Sequence, residues 1–295
     1  QEGVWDYGAR KINKKGAFPQ NTWTNGKDFW SGYQLDQVGY PVHLFYHLYQ
    51  RSDKVKQKEL LKEFKPMLLL ALDFIQKYGP WTAQERWEEN FGVSPSSFAV
   101  ATAALKIAAK IFDNPSYEKT VDEWLYRPGD NIHEWTFTKK GSYGDGRYYL
   151  RMVGCSKVDA IWNPDYDSEC IVANSGQRVK QSRLLDQGFL KLALFDLVES
   201  SDLRIKTSLE KINRNIRVST PNGYGWYRYA YDAYGEEKKG RLWPLLSSEH
   251  GRYAIERVVD KDLNWDNALM QVDQILESYL GFSNQGMMIP SSCYR

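Results

Sequence analysis

Three carboxyls, Glu85, Glu88 and Glu89, crowd into the segment GPWTAQERWEENFGVSPSS, Gly79 to Ser97, flanked by Trp81 and Trp87. A carboxyl beside an indole is partly desolvated, which raises its pKa and favours the protonated form. That is what a general acid needs in order to protonate a leaving oxygen. Glu89 adds a second negative charge, which disfavours ionising both neighbours. The plain alternative is a solvated acidic loop paired with Arg86, since charge runs usually lie on surfaces.

Three more segments carry polar groups among aromatics. In TPNGYGWYRYAYDAYGEE, Thr220 to Glu237, Arg228 and Asp232 sit among tyrosines and Trp226. Arginine offers a fork of donors to sugar hydroxyls, and tyrosine can stack or donate. In GRLWPLLSSEHGRYAIE, Gly240 to Glu256, Trp243-Pro244 precedes a helix whose expected cap is Ser247 or Ser248. In FPQNTWTNGKDFWSGYQLDQ, Phe18 to Gln37, Trp23 and Trp30 bracket a turn. The alternatives are a turn-rich aromatic surface, a core Trp at a helix start and a polar loop anchored by two indoles. His43 and His47 share a helix face, but the Glu of a zinc-protease HExxH is absent, so packing is the better reading. There is no GxSxG, no P-loop and no dinucleotide-binding GxGxxG.

The elements that must position these residues are helices. Apolar spacing predicts them over Gln34–Arg51, with Pro41 a kink or late start, and over Gln57–Tyr78, stopped by Gly79-Pro80. Ser94 is the expected cap, with Pro95 first, of an Ala-rich helix through Phe112. Further helices are predicted over Ser116–Leu125, Ser182–Val198, Asp202–Ile216, Ser247–Val259 and Trp265–Leu280. The one clear hairpin signal is Glu134–Val153, where GSYGDG separates two alternating segments. The long loops Tyr143–Gln181 and Pro221–Arg241 are rich in Trp, Tyr, Gly and Asn, and loops of that length are usually functional or disordered. No composition shift divides the chain, so the expectation is a single all-α domain with loops as its working surface.

Composition narrows the function classes. Lys plus Arg (39) nearly balances Asp plus Glu (37), which excludes a strongly basic nucleic-acid binder and an acidic tail. The apolar stretch around Pro66–Ile75 is too short to span a bilayer and contains Asp73. Aromatics make up 15% of the 295 residues, many beside Gly, Asn, Asp and Pro, where flat faces with polar tips suit sugars. The alternative is a large core plus interface aromatics. Three cysteines without a CxxC pair argue against zinc and select no disulfide partner. The chain opens on Gln1, with no visible signal peptide, as a processed product or fragment would.

Taken together and in this order, the segments resemble the glucoamylase family, inverting α-glucosidases with an (α/α)6 barrel, above all its bacterial and archaeal branch with glucodextranase-like relatives. The resemblance runs from about Phe18 to Pro290. It rests on QERWEENFGVSPSS, on WYRYAYDAYGE followed by GRLWPLLSSEHGRY, and on GMMIP. It implies an all-α (α/α)6 toroid with one β-hairpin insertion. It implies that Glu88 is the general acid, that Glu89 binds sugar hydroxyls on the leaving-group side, and that Trp87 lines the pocket. It further implies sugar contacts at Arg228, Asp232 and Tyr234, an aromatic wall at Trp243, and a supporting Trp at Trp30, with Trp23 the weaker match.

Two departures stand out. Where the family carries its catalytic base after GMMIP, this chain reads Pro290-Ser291-Ser292, and a neutral serine cannot take a proton from water as a carboxylate does. The family's earlier Arg-Asp clamp has no recognisable equivalent. The resemblance implies twelve helices, more than are predicted here. The expectation is therefore one domain over residues 1–295, lacking the first helices and the final base-bearing segment. An unclosed toroid exposes apolar faces, which a complementary chain, an extra domain or rearranged helices must cover. The implied function is single-step inverting release of β-glucose from non-reducing ends of an α-glucan or α-glucoside, without metal or organic cofactor, in an extracellular setting. The alternatives are a non-catalytic carbohydrate-binding or regulatory module, one part of a split glucoamylase, and a helical scaffold that binds proteins through its aromatic loops.

Overall fold

The computed structural model describes residues 4–7, 10–13, 15–29, 32–156, 162–166, 168–235, 238–286 and 288–293. They divide into two compact units, one of Gln1–Trp135 and Gly154–Trp162, the other of Thr136–Val153 and Asn163–Arg295.

The first unit opens with the antiparallel pair β1 (Val4–Tyr7) and β2 (Arg10–Asn13). Its core is built by α1 (Leu35–Arg51), α2 (Lys54–Tyr78), α3 (Pro95–Phe112) and α4 (Pro115–Tyr126). Pro41 lies inside α1 rather than delaying its start. Asp53 caps α2 by accepting from the Val55 and Lys56 amides, both at 2.9 Å, which starts the helix ahead of the apolar pattern. Pro95 opens α3, but the Ser94 hydroxyl makes no capping bond. The Pro ring presets the first helical φ and brings no N–H to satisfy.

α3 buries Ala99, Ala101, Ala103, Ala104 and Ala108. That small-residue face lets α1 approach closely: a Cβ on Gly39 would stand 3.0 Å from Val100 Cγ1. Across the same seam His43 Nε2 bonds the Val100 carbonyl at 3.0 Å, while within α1 His47 Nδ1 lies 3.0 Å from Arg51 Nη1. By length and composition α3 is apolar enough to cross a membrane, yet 67% of it is buried within the protein.

The second unit holds α6 (Leu190–Leu194), α7 (Leu203–Asn215), α8 (Pro244–Val259) and α9 (Trp265–Phe282). The hairpin expected over Glu134–Val153 is shorter, with β3 (Phe137–Thr138) pairing β4 (Tyr148–Tyr149). Asn131 accepts from the His133 and Glu134 amides and starts a helical turn, α5 (Ile132–Thr136), where strand was predicted. Two further hairpins carried no clear sequence signal: β5 (Glu169–Ile171) with β6 (Arg178–Lys180), and β7 (Arg217–Thr220) with β8 (Gly223–Trp226).

The long helix predicted over Ser182–Val198 is broken into two 3-10 turns and the short α6. The Leu184 and Leu185 carbonyls accept from the Arg151 and Ala230 amides instead of continuing a helix, and the Asp186 carboxylate takes the Gly188 amide. The predicted cap of α8 at Ser247 or Ser248 is also displaced. Trp243 occupies the cap position, Pro244 opens the helix, and Ser247 is buried inside it. Cys155 and Cys170 are disulfide-bonded, and Cys293 keeps a free thiol. On α9, Trp265, Leu269, Leu276 and Leu280 line one exposed apolar face.

The α1–α3 seam leaves no room for a side chain at residue 39. Gly39→Leu is expected to destabilise the protein by about 1–3 kcal/mol through overpacking, read as a lowered urea midpoint.

Candidate active site

The glutamate-rich turn lies within the first unit. Thr82 and Gly92 close its base with a pair of backbone bonds, 2.8 and 3.0 Å, and Thr82 Oγ1 accepts the Leu35 amide at the start of α1. Glu85 is fully buried and organises the turn. Its amide donates to the Asn90 carbonyl at 3.0 Å, its carbonyl accepts from the Glu88 amide at 2.7 Å, and its Oε2 accepts from the Trp87 amide at 3.0 Å. Gln84 Nε2 donates to the Glu88 carbonyl at 3.2 Å.

These bonds hold Glu88 at φ +65°, the left-handed region that side chains other than glycine seldom enter. Strain of this kind persists only where surrounding bonds over-determine it, and it concentrates at functional positions. Glu88 is exposed, and the buried Trp87 ring carries the Arg86 guanidinium 4.5 Å from its centroid. The expected burial of the acid against its neighbouring indole is therefore not what this turn shows. Glu89 is half-buried beside it.

The second cluster lies wholly in the second unit. Arg228 and Asp232 are buried and form a two-pronged pair, Nε to Oδ2 at 3.0 Å and Nη2 to Oδ1 at 2.6 Å. Such a fork is the strong geometry for an arginine–carboxylate pair. Asp232 Oδ1 also accepts the Tyr234 amide at 2.9 Å, so one carboxylate holds both the guanidinium and the loop. The guanidinium carbon lies 4.8 Å from the Tyr234 ring and 5.7 Å from the Trp243 ring, and those rings meet edge to face at 5.6 Å. The result is a cation oriented by a buried anion and walled by two aromatics, with Tyr234 open to solvent. That combination suits a polar ligand with flat C–H faces.

Behind this cluster runs a buried polar network. Gln187 Nε2 donates to the Leu246 carbonyl at 2.9 Å and to Glu249 Oε2 at 3.1 Å. The carbonyl can only accept, so the amide nitrogen must face it and Gln187 Oε1 faces His250 Nε2 at 3.0 Å. His250 stacks on Trp226 with ring centroids 4.1 Å apart. Burial, and secondarily the Arg217 charge, push its pKa down to about 3. The Trp226 carbonyl accepts the Trp243 amide at 2.9 Å. On the other side of Trp243, Leu242 exchanges two backbone bonds with Cys293, 2.9 and 2.7 Å. That pairing ties the segment carrying the exposed Ser291 alongside the aromatic wall.

The structure thus places Trp87, Glu88 and Glu89 on one turn, and brings Arg228, Asp232, Tyr234 and Trp243 together in another cluster. Trp30 lies outside the described residues. Sequence reasoning did not assign Glu85 its role as organiser of the turn, since three neighbouring glutamates look alike until burial separates them. It also passed over Gln187 and His250, which lie far apart in the chain. Among the described residues, no group of three or more His, Cys, Asp or Glu side chains could hold a metal ion.

Comparison with known proteins gives a consistent picture. The family model described as Glycosyl hydrolases family 15 matches residues 6–284. A glucoamylase of Clostridium sp. (strain G0005) is 36% identical over 268 residues, which cover 85% of this chain and 35% of that protein. The crystal structure of a bacterial glucoamylase complexed with acarbose aligns with a TM-score of 0.79 at 32% identity, over 95% of this chain and 39% of that one. A wild-type glycosidase structure, 14% identical, aligns with a TM-score of 0.54 over 90% of this chain and 58% of that one, a likeness of fold alone. These likenesses bear out the expected (α/α)6-type fold class. The chain spans a little over a third of the length of the glucoamylases it matches.

Two outcomes follow from this geometry. Asp232→Ala removes the forked carboxylate partner of the buried Arg228 guanidinium, and is expected to cost about 3–5 kcal/mol in urea unfolding. His250 binds a proton in the unfolded chain near its ordinary pKa of 6.5, but in the folded chain only near about 3. The unfolded state therefore holds more protons between those values, and stability falls as pH drops through that window, by at most about 1.4 kcal/mol per pH unit. His250→Phe removes this contribution, so the gap between parent and variant urea midpoints should change between pH 7 and pH 4.5, with the variant less acid-sensitive.

Proposed function

The chain belongs to glycosyl hydrolases family 15, and from that premise we propose that it acts on α-glucans or α-glucosides, releasing β-glucose from their non-reducing ends by inverting hydrolysis. The observation that carries this reading is the left-handed Glu88, held at φ +65° by the bonds of Glu85 and Gln84. A backbone so constrained at an exposed carboxyl supports a residue placed for chemistry. In this reading Glu88 protonates the glycosidic oxygen while water attacks the anomeric carbon from the opposite face. Glu89 binds hydroxyls on the leaving-group side. Arg228, held by Asp232, donates to hydroxyls of the sugar, while Trp87, Trp30, Tyr234 and Trp243 give it apolar faces.

An inverting site needs a second carboxylate about 6.5–9.5 Å from the acid to activate the water. Ser291 stands where the family resemblance places that base, and its hydroxyl cannot do the work. This favours a second reading, a carbohydrate-binding or regulatory module that keeps the recognition groups without turnover, or one part of a larger assembly whose other chain or domain supplies the base. An extracellular setting is part of the proposal, supported by the disulfide-bonded state of Cys155 and of Cys170, which is typical of oxidising compartments.

Proton NMR of the chain with maltose and isomaltose tests these readings through both the rate and the anomer of released glucose. Hydrolysis should yield the β-anomer, and Glu88→Gln should lower turnover by about 10²–10⁴-fold while sparing binding. Initial release of the α-anomer, or unchanged turnover in the variant, refutes the assignment. Binding without turnover in the parent selects the second reading.

A further inference from the structure

The walls of the second cluster share an anchor. Trp226 ends β8, and two residues later the chain presents Arg228. The Trp226 carbonyl also receives the Trp243 amide, so the position of residue 226 sets where both the cation and the indole wall stand. Trp226 is itself buried and held from two sides: its indole N–H donates to Asn213 Oδ1 on α7 at 3.1 Å, and the His250 ring of α8 covers its face at 4.1 Å. His250 cannot rotate freely, because Gln187 Oε1 holds its Nε2 at 3.0 Å, and Gln187 is pinned by the Leu246 carbonyl and Glu249.

We propose that His250 is a positioning residue for sugar recognition: its ring, oriented by Gln187, clamps Trp226 and so sets the spacing between Arg228 and the Trp243 wall. The inference rests on the α-glucoside reading above and adds to it a residue that touches neither the sugar nor the reacting atoms. The ring face acts on Trp226, and the Gln187 bond fixes the angle at which that face is offered. Burial with Arg217 nearby keeps the ring uncharged at neutral pH, so it serves as a plate rather than as an acid or base.

Acarbose binding measured by isothermal titration, with thermal unfolding of each variant, tests the assignment. His250→Ala removes the plate and should weaken binding about tenfold, equivalent to about 1.4 kcal/mol. His250→Phe restores an aromatic face without the orienting Gln187 bond and should recover part of that loss. Tyr253→Phe serves as the control on the same helix: it removes the 2.7 Å bond to the Ser200 carbonyl without touching Trp226, and should leave affinity within twofold of the parent. Equal weakening in His250→Ala and in Tyr253→Phe at matched unfolding temperatures would overturn the positioning role, as would unchanged affinity in a folded His250→Ala. A parent that binds no acarbose overturns the α-glucoside reading itself and this role with it, an outcome distinct from a parent that binds while all variants bind alike.

Discussion

Arginine cannot shed its proton inside a protein, so a guanidinium taken out of water obliges the surrounding chain to supply an anion. Arg228 is in that position, and Asp232 supplies a buried anion in a two-pronged pair. The pair is separated by a short irregular stretch rather than a helical turn, and the carboxylate closes that stretch by also holding the Tyr234 amide. Gly240, at φ +75°, lets the returning chain pass against it: a Cβ there would fall 2.7 Å from the Asp232 carbonyl. The return carries Leu242 into its bridge with Tyr227, and Trp243 into position beside the cation. One charge balance thus dictates the loop, the close approach and the aromatic wall.

The glutamate turn of the first unit divides labour among similar side chains. Glu85 is removed from solvent and spends its hydrogen-bonding capacity on the local backbone. A left-handed residue other than glycine costs on the order of 1–3 kcal/mol, and those bonds, with the Thr82–Gly92 bridge, offset the cost at Glu88. Rigidity is supplied by one carboxylate so that another, three residues on, is presented in a fixed direction.

Much of this was legible in the chain. Sustained apolar spacing marked α1, α2, α7 and α9, and Pro95 marked the start of α3, because those signals are local and unopposed. The stretch 182–198 looked equally helical. It failed as a helix because Leu184 and Leu185 bond to Arg151 and Ala230, partners that no local pattern reveals. The cap of α8 moved to Trp243 because a following proline outweighs a nearby serine. At the candidate site, family motifs singled out Glu88 and the Arg228–Asp232 pair, while the division of roles between Glu85 and Glu88 rests on burial and φ. The tie between Gln187 and His250 joins residues remote in sequence, and only their coordinates bring it to light.

The antiparallel exchange between Leu242 and Cys293 has a practical side. It leaves a free thiol two residues from Ser291, in a segment stitched beside Trp243. Partial burial raises the pKa of this thiol, so it ionises late and alkylates slowly at neutral pH. Under mildly alkaline conditions it becomes a unique attachment point for a nitroxide or a small fluorophore, since Cys155 and Cys170 are disulfide-bonded and offer no thiol. A label there would report occupancy of the aromatic wall by spectroscopy alone, independently of any bond being cut.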